Sequence, residues 1–210
     1  MFVELALLGY LATQDWLDRR QFSADLTEKS RTHETSLLPN GDPYVRGNAI
    51  RLLTKLPPLN SLHGNGLRFV AMPSFVAMPS FGTTDYGISI FLEQPDASHA
   101  TGVLITVNKR ESKSSTSQRQ FDIPVSAYRS FVTRLDKLTD DWPGDENSCL
   151  DGSPAAFERV RGNRITSGIG NCSKHYDQLR FSVLDVVRRY APGDDLPTED
   201  DWHRFEPGER

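Results

Sequence analysis

Near the C-terminus, the runs Ala155–Arg161 and Arg164–Gly170 are separated only by Gly162-Asn163. A two-residue loop that opens on glycine marks a type II′ hairpin, because the first loop position needs a positive φ. That turn fixes the register: Val160 faces Ile165, Glu158 faces Ser167 and Ala156 faces Ile169 on one side of the ribbon. Phe157 and Thr166 lie on the other side. No other feature of the chain constrains its fold as tightly.

The same register carries Cys172 opposite Ser153, four residues from Cys149, and Asp151-Gly152 supplies a turn between them. Cys149 and Cys172 are the only cysteines of the chain. They form neither a C-x-x-C redox motif nor the close ligand pairs that zinc requires. The spacing predicts a Cys149–Cys172 disulfide, with two unrelated buried thiols as the alternative. A disulfide points to an oxidising compartment.

Upstream, the pattern alternates between strands and helices. Asp42-Pro43 gives an N-cap and a first-turn proline. Val45, Ala49, Leu52, Leu53 and Leu56 then recur at helical spacing until Pro57-Pro58. His63-Gly64-Asn65-Gly66 is turn chemistry. Tyr86, Ile88, Ile90 and Leu92 share one face of a strand, Val103, Ile105 and Val107 mark a second, and Gln120–Val125 returns after a polar tip. Tyr128, Phe131, Val132, Leu135 and Leu138 form the apolar stripe of a helix capped by Ser126. After the hairpin, Tyr176, Leu179, Val183, Val186, Val187 and Tyr190 form another. The expected fold is α+β: a mainly antiparallel sheet with helices packed on one face, an N-terminal helical extension and one disulfide.

Residues 42–210 are read as a single α+β domain, 21–41 as a polar linker, and 1–20 as an apolar helix or a degenerate export signal. Those last two readings stay open. Phe2–Ala12 has the length of a signal core, but Glu4 interrupts it and no basic segment precedes it. It is too short and polar for a stable membrane span.

One segment is unusual. Phe69-Val70-Ala71-Met72-Pro73-Ser74 is repeated at once as Phe75-Val76-Ala77-Met78-Pro79-Ser80, and Phe81 opens a third copy that fails. Pro73 and Pro79 lack an amide donor, which places any strand here at a sheet edge or interrupts it. Phe69, Met72, Phe75, Met78 and Phe81 are therefore candidates for an apolar partner-binding surface.

Chemistry is sparse. The formal net charge of −4 weighs against nucleic-acid binding. The cluster Lys109, Arg110, Lys113 and Arg119 reads as a solvated hairpin tip. No phosphate loop, dinucleotide fingerprint, G-x-S-x-G or H-E-x-x-H occurs, and no cofactor or metal is implied. Ser167-Gly168-Ile169-Gly170 lies inside a strand, where its glycines indicate close packing. His175 sits in the first turn of the last helix, with Asp151 and Asp177 as possible neighbours. Glu158 is an acid on a core-facing position and must find an ion-pair or hydrogen-bond partner, for which Arg180 and Arg188 are candidates, or raise its pKa. Asp194, Asp195, Glu199, Asp200 and Asp201 make an acidic tail that Trp202 and Phe205 are expected to pin to the body.

Three functions are compatible with this pattern. The leading one is an exported, periplasmic or secreted, non-catalytic binding or accessory domain that acts through a protein partner. The second is a small hydrolase-type enzyme with a site near His175, Asp151 and Glu158. The third is a cytosolic immunity-like protein that neutralises a toxin through its acidic surface.

Overall fold

The computed structural model describes residues 38, 43–73, 84–109, 114–139, 153–171, 174–191, 193 and 196–198. Their elements run, in chain order, α1 (Pro43–Leu53), a short 3-10 turn (Leu59–Leu62), β1 (Asn65–Ala71), β2 (Thr84–Phe91), β3 (His99–Asn108), β4 (Ser115–Pro124), α2 (Val125–Thr139), β5 (Ala155–Arg161), β6 (Arg164–Gly170) and α3 (Lys174–Tyr190). The six strands form one sheet in the order β4-β3-β2-β1-β5-β6, and every neighbouring pair is antiparallel. The first four strands are a meander. Helix α2 then carries the chain from edge strand β4 back to the far side of β1, where the β5–β6 hairpin completes the sheet.

The hairpin pairs as its turn dictates: Val160 with Ile165, Glu158 with Ser167, Ala156 with Ile169. Gly162 supplies the positive φ, at 57°. His63 and Gly64 also turn through positive φ, and the strand resumes at Asn65.

Helices cover both faces of the sheet, which corrects the expectation of one. The larger core gathers Leu67, Phe69, Ile88, Ile90, Leu104 and Phe157 under α2 and α3, which contribute Tyr128, Phe131, Leu135, Tyr176, Leu179 and Val183. The opposite core packs Val70, Val103, Ile105, Val107 and Ala156 beneath Ala49, Leu52 and Leu53 of α1. Leu59, Leu62, Phe91, Val160 and Ile165 extend the cover on that second side. The continuous apolar run Val103-Leu104-Ile105 is the sequence signal for a strand buried on both sides.

A second correction concerns the repeated segment. Its first copy supplies Phe69, Val70 and Ala71 to β1, a central strand hydrogen-bonded to β2 on one side and β5 on the other. Pro73 follows the end of that strand, so its missing amide breaks no ladder. The second copy and Phe81 lie outside the described residues.

Candidate functional site

Four polar side chains lie in a row across the α1-covered face, one from each of four adjacent strands. Arg68 of β1 is directly opposite Ser89 of β2 on one side and Glu158 of β5 on the other, and Glu158 is opposite Ser167 of β6. All four are buried. Arg68 Nη1 stands 3.2 Å from Glu158 Oε2, and Arg68 Nη2 donates to the Leu53 carbonyl at the end of α1. Burial pushes the Arg68 guanidinium below its ordinary range, and the Glu158 charge opposes that shift. The pair thus fastens the last turn of α1, where carbonyls lack helical partners, to the middle of the sheet. An ion pair was expected at Glu158, but from Arg180 or Arg188. The neighbouring strand supplies the cation instead, because β1 pairs with β5.

A second polar cluster occupies the α2 side. Arg159 Nε donates to Asp136 Oδ1 at 2.8 Å, and its Nη1 donates to Asn65 Oδ1 at 2.9 Å and the Gly66 carbonyl at 3.1 Å. Arg161 Nη1 adds a contact to Asp136 Oδ2 at 3.2 Å. Tyr128 donates its hydroxyl to the Asn65 carbonyl at 2.9 Å, and burial pushes its pKa up to about 12. This cluster was not anticipated, although the hairpin register that puts Phe157 on this face puts Arg159 there too. An arginine beside a core phenylalanine was the available signal.

A third group surrounds Asp85, which is fully buried at the start of β2. Lys109 Nζ lies 2.6 Å from its Oδ2 and Arg51 Nη2 lies 3.6 Å from it. Burial raises the Asp85 pKa, and the two cations oppose the rise. Lys109, read as part of a solvated tip, is therefore half of a structural ion pair.

Of the residues proposed from sequence as a hydrolytic site, Glu158 and His175 do not converge. Glu158 faces the α1 side of the sheet, whereas His175 belongs to α3 on the other side. The His175 ring donates Nε2–H to the Leu138 carbonyl at the end of α2, which ties the two helices together. Asp151 lies outside the described residues, as do Cys149 and Cys172. Asp177 pairs with Arg180, which also donates to the Ser153 carbonyl. Burial pushes the Arg180 guanidinium well below its ordinary range. Of the partner-binding candidates, Phe69 and Met72 are buried in opposite cores rather than displayed. Phe75, Met78 and Phe81 lie outside the described residues. In the Ser167–Gly170 run, Gly170 receives the Tyr176 ring: a Cβ there would stand 2.1 Å from a ring carbon.

Among the described residues, no group of three or more His, Cys, Asp and Glu side chains is gathered as a metal site. Among them too, no helix is long and apolar enough to cross a membrane. The chain matches no protein-family model, no curated protein and no solved structure.

Proposed function

We propose that this protein is an exported, periplasmic or secreted, non-catalytic domain that binds a protein partner along its sheet. The observation that carries the reading is edge strand β4. It runs ten residues, pairs with β3 on one side, and exposes six consecutive side chains from Ser115 to Gln120. Among the described residues no strand pairs with its other side, and a long edge of this kind is a template for an added strand, with alternating polar side chains selecting the partner. The separation of Glu158 from His175 by the thickness of the sheet removes the support for a hydrolase at those residues. Export rests on the Cys149–Cys172 disulfide, which belongs to the same proposal.

A photo-crosslinking side chain placed at Gln118 in the full chain, expressed in its native host, tests the binding surface. A discrete adduct is expected from Gln118 and not from the same group at Asn163, the exposed tip of the hairpin. Adducts of equal yield from both positions, or from neither, count against the edge. Fractionation of the host with thiol labelling tests export: protein recovered in the cytosol with both thiols free refutes it and favours the immunity-like reading.

A further inference from the structure

An edge strand is normally blunted against pairing by a lysine, a proline or a bulge. Strand β4 lacks these devices along most of its length. Its ladder to β3 keeps one register from His99–Pro124 to Asn108–Ser115, without a bulge. No lysine or proline lies between Ser115 and Ile123.

One hydrogen bond fixes which backbone groups of β4 face outward. The Val125 amide donates to the Ser98 carbonyl at 2.9 Å, in line with the ladder. Hydrogen-bonded and non-hydrogen-bonded pairs alternate along an antiparallel ladder. Ser98–Val125 is a bonded pair, so Ala100–Ile123, Gly102–Phe121, Leu104–Arg119 and Thr106–Ser117 are bonded too. The intervening residues Thr116, Gln118, Gln120 and Asp122 therefore turn their amides and carbonyls away from β3. Pro124 falls in the same row, and its missing amide ends the row of donors. The side chains of Thr116, Gln118, Gln120 and Asp122 are exposed. They lie on the α1 side of the sheet, opposite Val107, Ile105, Val103 and Thr101.

Resting on the reading that β4 takes up a strand, we propose that this strand is β4 of a second copy of the chain. The two copies pair antiparallel about a two-fold axis through Gln120, which makes the interface isologous. Gln120 then faces the partner's Gln120, Gln118 the partner's Asp122, Arg119 the partner's Phe121, and Ser117 the partner's Ile123. Outward-facing rows meet from Thr116 to Pro124, and the sheet continues through the dimer. The Gln118 side-chain amide meets a carboxylate on each side of the axis, and no like charges stand opposite each other. Sliding the copies by two residues one way sets Arg119 against the partner's Arg119, in a close pair where like charges repel. Sliding them two residues the other way shortens the ladder. This self-complementarity of charge and register selects a second copy as the occupant.

Sedimentation equilibrium of the purified full chain tests the proposal. A dimer is expected at about 50 µM protein, a concentration that populates a micromolar association. Gln120→Pro removes an outward donor and leaves the bonds to β3 in place, so a folded monomer is expected, with folding read by circular dichroism. Two exposed substitutions read the register whatever that variant does. Gln118→Lys faces the partner's Asp122 and is expected to tighten the dimer several-fold, whereas Gln118→Asp is expected to loosen it about ten-fold. A native monomer at that concentration overturns the proposal, as does a dimer indifferent to all three substitutions. The Gln118 photo-crosslink in the native host separates this inference from the reading beneath it. An adduct of twice the chain mass is expected. An adduct to a different protein overturns the second copy and leaves the edge reading standing, and no adduct counts against both.

Discussion

At the residue scale, the buried ion pair and the buried carboxylate make opposite demands. Glu158→Gln removes the carboxylate that faces the Arg68 guanidinium in the middle of the sheet. Removing one partner of such a pair costs about 3–5 kcal/mol. Chemical denaturation is expected to show that loss, and Arg68→Met combined with Glu158→Leu is expected to recover much of it, since an apolar pair of similar volume carries no desolvation penalty. Recovery stops short of complete, because the Leu53 carbonyl also loses its donor. Asp85 behaves differently. Its folded-state pKa is raised, so the folded protein binds the proton more tightly than the unfolded chain does. The contribution of Asp85 to stability therefore falls as pH rises from the unfolded pKa through the folded one. Asp85→Asn removes this slope. Relative to the native protein, the variant is expected to gain stability with rising pH across that window, measured by urea denaturation between about pH 4 and pH 7. A variant whose stability difference is flat across that range would show that Lys109 and Arg51 fully offset the burial.

At the scale of elements, the α3–sheet junction depends on one missing side chain. Tyr176 lies over Gly170 so closely that an added methyl group collides with the ring. Gly170→Ala is expected to destabilise by about 1–3 kcal/mol, the ordinary cost of overpacking a core. Tyr176→Leu in the same background is expected to restore part of it, read from thermal or urea midpoints. Helix α2 is fixed differently, by Tyr128 and Asp136 reaching polar groups at the β1–β5 junction. Tyr128→Phe leaves the Asn65 carbonyl without that donor and is expected to cost about 1–2 kcal/mol. These junctions explain why the helix stripes were legible and their docking was not. Tyr128, Phe131 and Leu135 recur at helical spacing within α2 itself, so the apolar face can be read locally. Which strands that face meets depends on the order of the sheet.

At the scale of the whole molecule, the sheet is a partition. It separates the α1 side, with its buried ionic row, from the α2–α3 side, with the Arg159 cluster. A site assembled from Glu158 and His175 is excluded by that partition, although both lie within the last third of the chain. The proposed disulfide acts at this scale as well, because it closes a loop around the whole hairpin. Under oxidising conditions, Cys149→Ser with Cys172→Ser is expected to lower stability by about 3 kcal/mol in the chain-entropy picture. With reductant present the variant and the native chain are expected to unfold together. Identical stabilities in both conditions would remove the bond, and with it the main reason to place the protein outside the cytosol.

Much of the β5–β6 hairpin, the apolar stripes of α1, α2 and α3, and the alternation of Tyr86, Ile88 and Ile90 followed from the sequence by itself. Each is set by residues a few positions apart, through turn geometry or the period of a helix or strand. Glu158 on a buried face could be read in the same way, since the Gly162-Asn163 turn counts its position. The tertiary structure alone decided that β1 is central, that Arg68 is the partner of Glu158, and that helices cover both faces. Those outcomes depend on which strands pair across long separations, and that choice is made by the burial of two cores together rather than by any local run of residues.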